Sequence, residues 1–157
     1  MNWFNYYGLS IVALFMIPNI IFAVKNKAAF ENAYKNKYLK LFEQIGRYGC
    51  FILMIFNIPY TYFNFWFENA LIAYLTINYG LLAVYLITWA FFTKIEVISR
   101  SLILSIVPSL IFIASGIILA YIPLIVFSIT FAICHISLSY KNAALSKNND
   151  EEKNGEN

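Results

Sequence analysis

The sequence predicts an all-α integral membrane protein, a helical bundle with five transmembrane helices. Three observations predict it. Only 12% of the 157 residues are charged against 61% hydrophobic, with a mean hydropathy of +0.67, where a soluble domain carries about a quarter charged residues. Apolar runs near the roughly twenty residues that cross a hydrocarbon core about 30 Å thick recur along the chain. The 11 Lys and Arg fall in alternate connections between those runs.

The first span is expected over 4–24. Trp3, Tyr6 and Tyr7 at its start suit the headgroup level, having apolar rings with polar tips. No Lys or Arg precedes the run and no small-x-small site follows it, so it reads as a retained span rather than a signal peptide. Pro18 removes one backbone donor and predicts a bend. Next comes the most basic region, Lys25 to Arg47, holding Lys25, Lys27, Lys35, Lys37, Lys40 and Arg47 against Glu31 and Glu43. Phe30, Tyr34, Tyr38, Leu41 and Ile45 recur at steps of three and four. That stripe predicts an amphipathic helix over 26–44 lying on the cytoplasmic membrane surface, or else a helical loop packed on the spans.

The second span is expected over 48–66, with Asn57 and Pro59 inside it and a crowd of rings at its outer end. The third is expected over 70–92, the fourth over 101–120 with Pro108 near its middle, and the fifth over 124–140. Residues 102 to 138 form one apolar stretch, too long for a single straight span. A tight hairpin at Tyr121 to Pro123 divides it, with Pro123 in the first turn of the fifth span, where its missing donor costs nothing. The tail, 141–157, is Lys-, Asn- and acid-rich and reads as disordered and cytoplasmic.

Charge sets the orientation. The start of the chain and the connections at Glu68 and Ile122 lack Lys and Arg, while the other connections and the tail hold all 11. Positive charge collects inside, which places the N-terminus outside and the C-terminus inside a bacterial cytoplasmic membrane crossed several times. The net charge of +3 is modest and speaks to the lipid bilayer as a partner, not to nucleic acid.

Four residues stand out as functional or packing candidates. Asn19, Asn57 and Asn78 are amides inside expected spans, suited to bonds between helices and less to a shared pocket. His135, the single histidine, could relay protons or contact a partner, or bond only to Ser139 or Ser105. Lys35, Lys37 and Lys40 form a patch for anionic lipid or a cytoplasmic partner. On these boundaries no Asp, Glu, Lys or Arg falls deep in a span, which argues against an ion-coupled pump with a carboxylate relay. Cys50 and Cys134 have no framework or metal-site spacing and read as small apolar fillers. No cofactor motif, and no nucleophile and base at supporting spacing, gives a case for an enzyme.

The bias toward Ile, Asn, Lys and Phe resembles proteins of AT-rich bacterial genomes. The stretches Ile17-Pro18-Asn19-Ile20-Ile21, Ile45-Gly46-Arg47-Tyr48-Gly49, Ile122-Pro123-Leu124 and His135-Ile136-Ser137, with Gly116, resemble a group of small uncharacterised multi-spanning membrane proteins of clostridia and related low-GC bacteria. The resemblance covers most of residues 4 to 142 and implies the fold alone. The expected function is an accessory or scaffold subunit of a membrane complex, acting on a heterologous membrane protein partner. The alternative is a small homo-oligomeric transporter or channel for a neutral or weakly polar solute.

Overall fold

The computed structural model describes residues 3–25, 36–91 and 97–155. Among the described residues five helices follow one another: α1 (Tyr6–Lys25), α2 (Lys37–Ile55), α3 (Ala70–Ala90), α4 (Val97–Ile118) and α5 (Ile122–Gly155). Four of them are long and apolar enough to cross a membrane, over Tyr6–Val24, Ala70–Ala90, Ile98–Ile118 and Ile122–Leu145. These match the first, third, fourth and fifth expected spans, with ends shifted by a few residues.

The second helix differs from expectation. The described part of the expected surface helix, 37–44, and the first part of the expected span, 48–55, form one continuous helix, α2. Residues 26–35, with Lys35, lie outside the described residues. Asn36 starts α2 by accepting a hydrogen bond from the Leu39 N–H at 3.1 Å, an N-cap. Nothing between Gln44 and Tyr48 stops a helix, whereas Pro59 disfavours helical geometry at the residue before it. The helix therefore ends at Ile55, with Phe56 extended. Pro59 lies in the turn beyond it rather than inside a span.

Cross-helix pairs fix the directions. Asn5, Ser10 and Asn19 bond to Tyr74, Tyr79 and Tyr85 in rising order, so α1 and α3 run parallel. Gly49, Gly46 and Glu43 of α2 meet Phe127, Phe131 and His135 of α5, so these two run antiparallel. Gly116 faces Ile125 while Ser101 bonds to the Ser139 carbonyl, which makes α4 and α5 antiparallel as well. Successive helices alternate in direction. Lys37, Lys40, Arg100 and Lys141 consequently gather toward one end, where α1 also ends at Lys25.

The core is aromatic. Phe15 of α1 meets Tyr85 of α3 with centroids 4.8 Å apart, Phe51 of α2 at 6.1 Å and Phe112 of α4 at 6.2 Å. Phe112 meets Phe131 of α5 at 5.5 Å, so one cluster joins all five helices. At the opposite end from the lysines, the segment between α2 and α3 folds over the α4–α5 turn. Phe63 is buried against Tyr121, the Tyr121 hydroxyl accepts from the Ile58 N–H at 2.9 Å, and the Trp66 indole donates to the Ile117 carbonyl at 2.9 Å. The turn itself closes α4 with Ala120 at φ 48°. The Tyr121 N–H reaches the Gly116 carbonyl and the Ala120 N–H the Ile117 carbonyl, a Schellman pattern. α5 runs helical to Gly155, and Ala143, in the stretch assigned to the tail, is buried.

Close approach of α2 to α5 depends on glycine. A Cβ on Gly46 would stand 2.9 Å from the Phe131 Cα, a backbone atom that cannot swing aside. Gly46→Ala is expected to lower bundle stability by about 1–3 kcal/mol through overpacking. Gly80→Ala, with open space around it, is expected to leave stability unchanged or raise it by up to about 1 kcal/mol. Unfolding in detergent micelles with increasing denaturant checks both; equal effects would contradict this packing.

Candidate functional site

The face of α2 toward the bundle carries Glu43, Gly46, Cys50, Leu53 and Met54, all buried. Its outward face carries Tyr38, Leu41, Phe42, Ile45, Tyr48 and Ile52, all exposed. The apolar stripe read from the sequence is present in its described half, but it points away from the protein. The acid is on the inside.

Glu43 is 2% exposed. Its Oε1 takes two partners. Arg47, one turn along α2, reaches it with a guanidinium nitrogen. A helical side chain leans toward the N-terminus of its helix, which carries the Arg47 head back to the level of Glu43. From α5, the His135 Nδ1 lies 2.9 Å from the same oxygen. A carboxylate only accepts, so Nδ1 carries the proton of that hydrogen bond. The imidazole stacks on Phe131 with centroids 4.6 Å apart and planes 18° apart, which fixes the ring against the aromatic core. The three side chains grade outward: Glu43 is 3% exposed, His135 18% and Arg47 38%.

His135 belongs to the stretch Ile122–Leu145 that is apolar and long enough to cross a membrane. The four candidate spans carry no Asp, Glu, Lys or Arg in their middles; Glu43 and Arg47 stand on α2, which is not one of the four, and meet the apolar stretch of α5 at His135. The partner proposed for His135 changes. The Ser139 carbonyl accepts from Ser101 and the Ser105 hydroxyl donates to the Ser101 carbonyl, while His135 is held by Glu43.

The three asparagines sit apart. Asn19 donates to the Phe15 carbonyl at 2.9 Å and accepts from the Tyr85 hydroxyl at 3.0 Å. Asn78, buried between α3 and α4, donates to the Tyr74 carbonyl and accepts from the Ser115 hydroxyl at 3.0 Å. Asn57 lies beyond α2, where its N–H donates to the Trp3 carbonyl and its side chain accepts from the Thr61 hydroxyl. Asn5, which the sequence reading passed over, is fully buried like Asn78, whereas Asn19 and Asn57 are half-buried. Asn5 joins the Met54 carbonyl of α2 to the Tyr74 hydroxyl of α3. Asn5 just before α1, Tyr74 and Asn78 of α3 and Ser115 of α4 thus form one connected polar chain that also takes in α2 through the Met54 carbonyl. Of the basic patch, Lys37 and Lys40 are exposed in the first turn of α2. Among the described residues no cluster of three metal-ligating side chains occurs.

Removing Arg47 strips the compensating charge from a buried acid. Arg47→Ala leaves the Glu43 carboxylate inside the bundle with the His135 hydrogen bond alone, a loss of about 3 kcal/mol or more for a broken buried pair. Adding Glu43→Gln to Arg47→Ala removes both charges and is expected to recover most of that loss. Denaturant unfolding of the two variants in micelles checks this, and a double variant no more stable than the single one would contradict the pairing.

No protein family, curated protein or solved structure matches the chain.

Proposed function

We propose that the chain is a multi-pass protein of the bacterial cytoplasmic membrane that crosses it five times, N-terminus outside and C-terminus inside. It serves as an accessory or scaffold subunit for another membrane protein. The inverted face pattern of α2 carries the five-crossing reading. A helix in water exposes charge and buries its apolar stripe; α2 exposes Tyr38, Leu41, Ile45, Tyr48 and Ile52 and buries Glu43. Lipid is the solvent that favours such a helix. Its 19 residues rise about 28 Å at 1.5 Å each, close to the hydrocarbon thickness. The gathering of Lys37, Lys40, Arg100 and Lys141 at one end supports a cytoplasmic assignment of that end.

The subunit role draws its support from how the interior uses its polar groups. Asn19 pairs with Tyr85, Asn78 with Ser115 and Asn5 with Tyr74, so these groups tie elements of the bundle to one another. The outward faces of α1, α2 and α5 present Ile20, Ile21, Val24, Ile52, Val126, Ile129 and Ile133, surfaces for lipid or a partner helix. One observation favours the transporter alternative: Glu43, Arg47 and His135 are ionisable groups among the spans, a usual place for coupling sites. Because the five helices pack on their own core, that reading places the pathway between protomers.

Mild cross-linking in cells followed by identification of the adducts separates these readings. A heterologous membrane protein is expected in the adduct. A chain cross-linked solely to itself, and oligomeric in native lipid, would replace the subunit reading by the transporter one. For the orientation, Glu68→Cys is expected to react with an impermeant maleimide in whole cells; reaction only after lysis would contradict it.

A further inference from the structure

The two partners of Glu43 differ in one respect. Arg47 is charged at every accessible pH, while His135 gains charge only by taking up a proton. With Nδ1 already donating to Glu43, the basic atom left on the ring is Nε2. In the neutral-histidine state the cluster holds one anion and one cation, and the interior is balanced. A proton arriving from water at Nε2 makes the ring an imidazolium, and the same Oε1 then faces two cations.

We propose that Glu43, Arg47 and His135 form a proton-binding site in which the protonated His135 displaces Arg47 from the carboxylate. Two like charges sharing one counter-charge in a low-dielectric interior is unfavourable, and the cluster relieves it by releasing the cation with an outlet. That cation is Arg47, whose side chain is 38% exposed, against 18% for His135, which is clamped flat on Phe131. The other groups facing the site do not replace Glu43. α4 brings Arg100 as its single charged side chain, near the basic end. Beside the ring, α5 offers the Cys134 thiol and no charge. α3 offers the Tyr85 hydroxyl, within electrostatic reach of Arg47 and already donating to Asn19. Among the described residues Glu43 is the one anion at the site, so proton uptake by the ring and release of the guanidinium are a single event. The freed head lies toward the end of α2 that carries Lys37 and Lys40, and adds a cation there. The site thereby converts acidity into positive charge on one helix, whatever partner that end meets.

The sequence makes the test direct, because His135 is the only histidine and Arg47 and Arg100 are the only arginines. The full chain, labelled with nitrogen-15 in histidine and arginine and held in lipid nanodiscs, is titrated from about pH 8 downward. Loss of one arginine signal in Arg47→Lys assigns that signal to Arg47. The Nε2 signal is expected to pass from its unprotonated to its protonated position while the bundle stays folded. The Arg47 guanidinium signal should shift with the same midpoint, and the Arg100 signal should not. In His135→Gln, which retains a donor for Glu43, the Arg47 signal should become independent of pH over that range. The proposal is overturned if His135 stays neutral until the bundle unfolds. A titrating ring with an unmoved Arg47 signal overturns it too, as does an Arg47 signal that still moves without the imidazole. The wild-type titration decides the matter even if a variant fails to fold.

Discussion

The burial of Glu43 constrains the rest of the molecule. A carboxylate taken out of water costs several kcal/mol unless charge and hydrogen bonds compensate it. Arg47 supplies the charge from the same helix, but the second bond comes only from His135, on the last helix of the chain. α2 can therefore hold its acid inside only when α5 is in place. Two glycines reinforce the dependence: Gly46 and Gly49 let the helices approach until Phe131 and Phe127 fill the space where side chains would stand. The contact is polar at one level and steric at the next two, and all three levels fall on one face of α2.

From that contact outward the bundle is ordered in layers. His135 stacks on Phe131, and Phe131 leads through Phe112 to Phe15, Phe51 and Tyr85, so the charged cluster borders the aromatic core. Toward the other end lies the chain of Asn5, Tyr74, Asn78 and Ser115, whose bonds favour particular rotations of α3 and α4 and tie the start of α1 to the Met54 carbonyl of α2. Beyond it the Phe56 to Asn69 segment covers the α4–α5 turn. Each layer uses a different interaction, which fixes register as well as association. A core of apolar side chains alone would leave the helices freer to slide.

Four helices were legible from their apolar runs, because α1, α3, α4 and α5 satisfy length and hydropathy by themselves. The turn at Ala120 and Tyr121 was legible from the excess length of 102–138 and from Pro123. The second helix was not, since its fitness for the interior is not a local property. Hydropathy counts Glu43 and Arg47 as two charges; the fold makes them a neutral pair with a third partner on α5. The rings from Tyr60 to Phe67 then drew the expected span past Ile55, although they cap the bundle end. A signal for the packed side was present: Gly46, Gly49 and Cys50 share the Glu43 side of the helix, a small-residue face opposite the apolar stripe that lets α5 approach closely. At the site, His135 stood out by being alone of its kind, while Glu43 looked like one of many surface acids.

The central claim is that α2 crosses the membrane with its apolar stripe in lipid. Nitroxide labels placed singly at Tyr38, Ile45, Tyr48 and Ile52, in a chain whose Cys50 and Cys134 are replaced, test it most directly. Power saturation with oxygen and with a water-soluble nickel chelate gives the depth of each. The account predicts shallow depth at Tyr38, the greatest depth at Ile45 and Tyr48, and decreasing depth toward Ile52. One uniform shallow depth at all four positions, the signature of a helix lying on the surface, would contradict it.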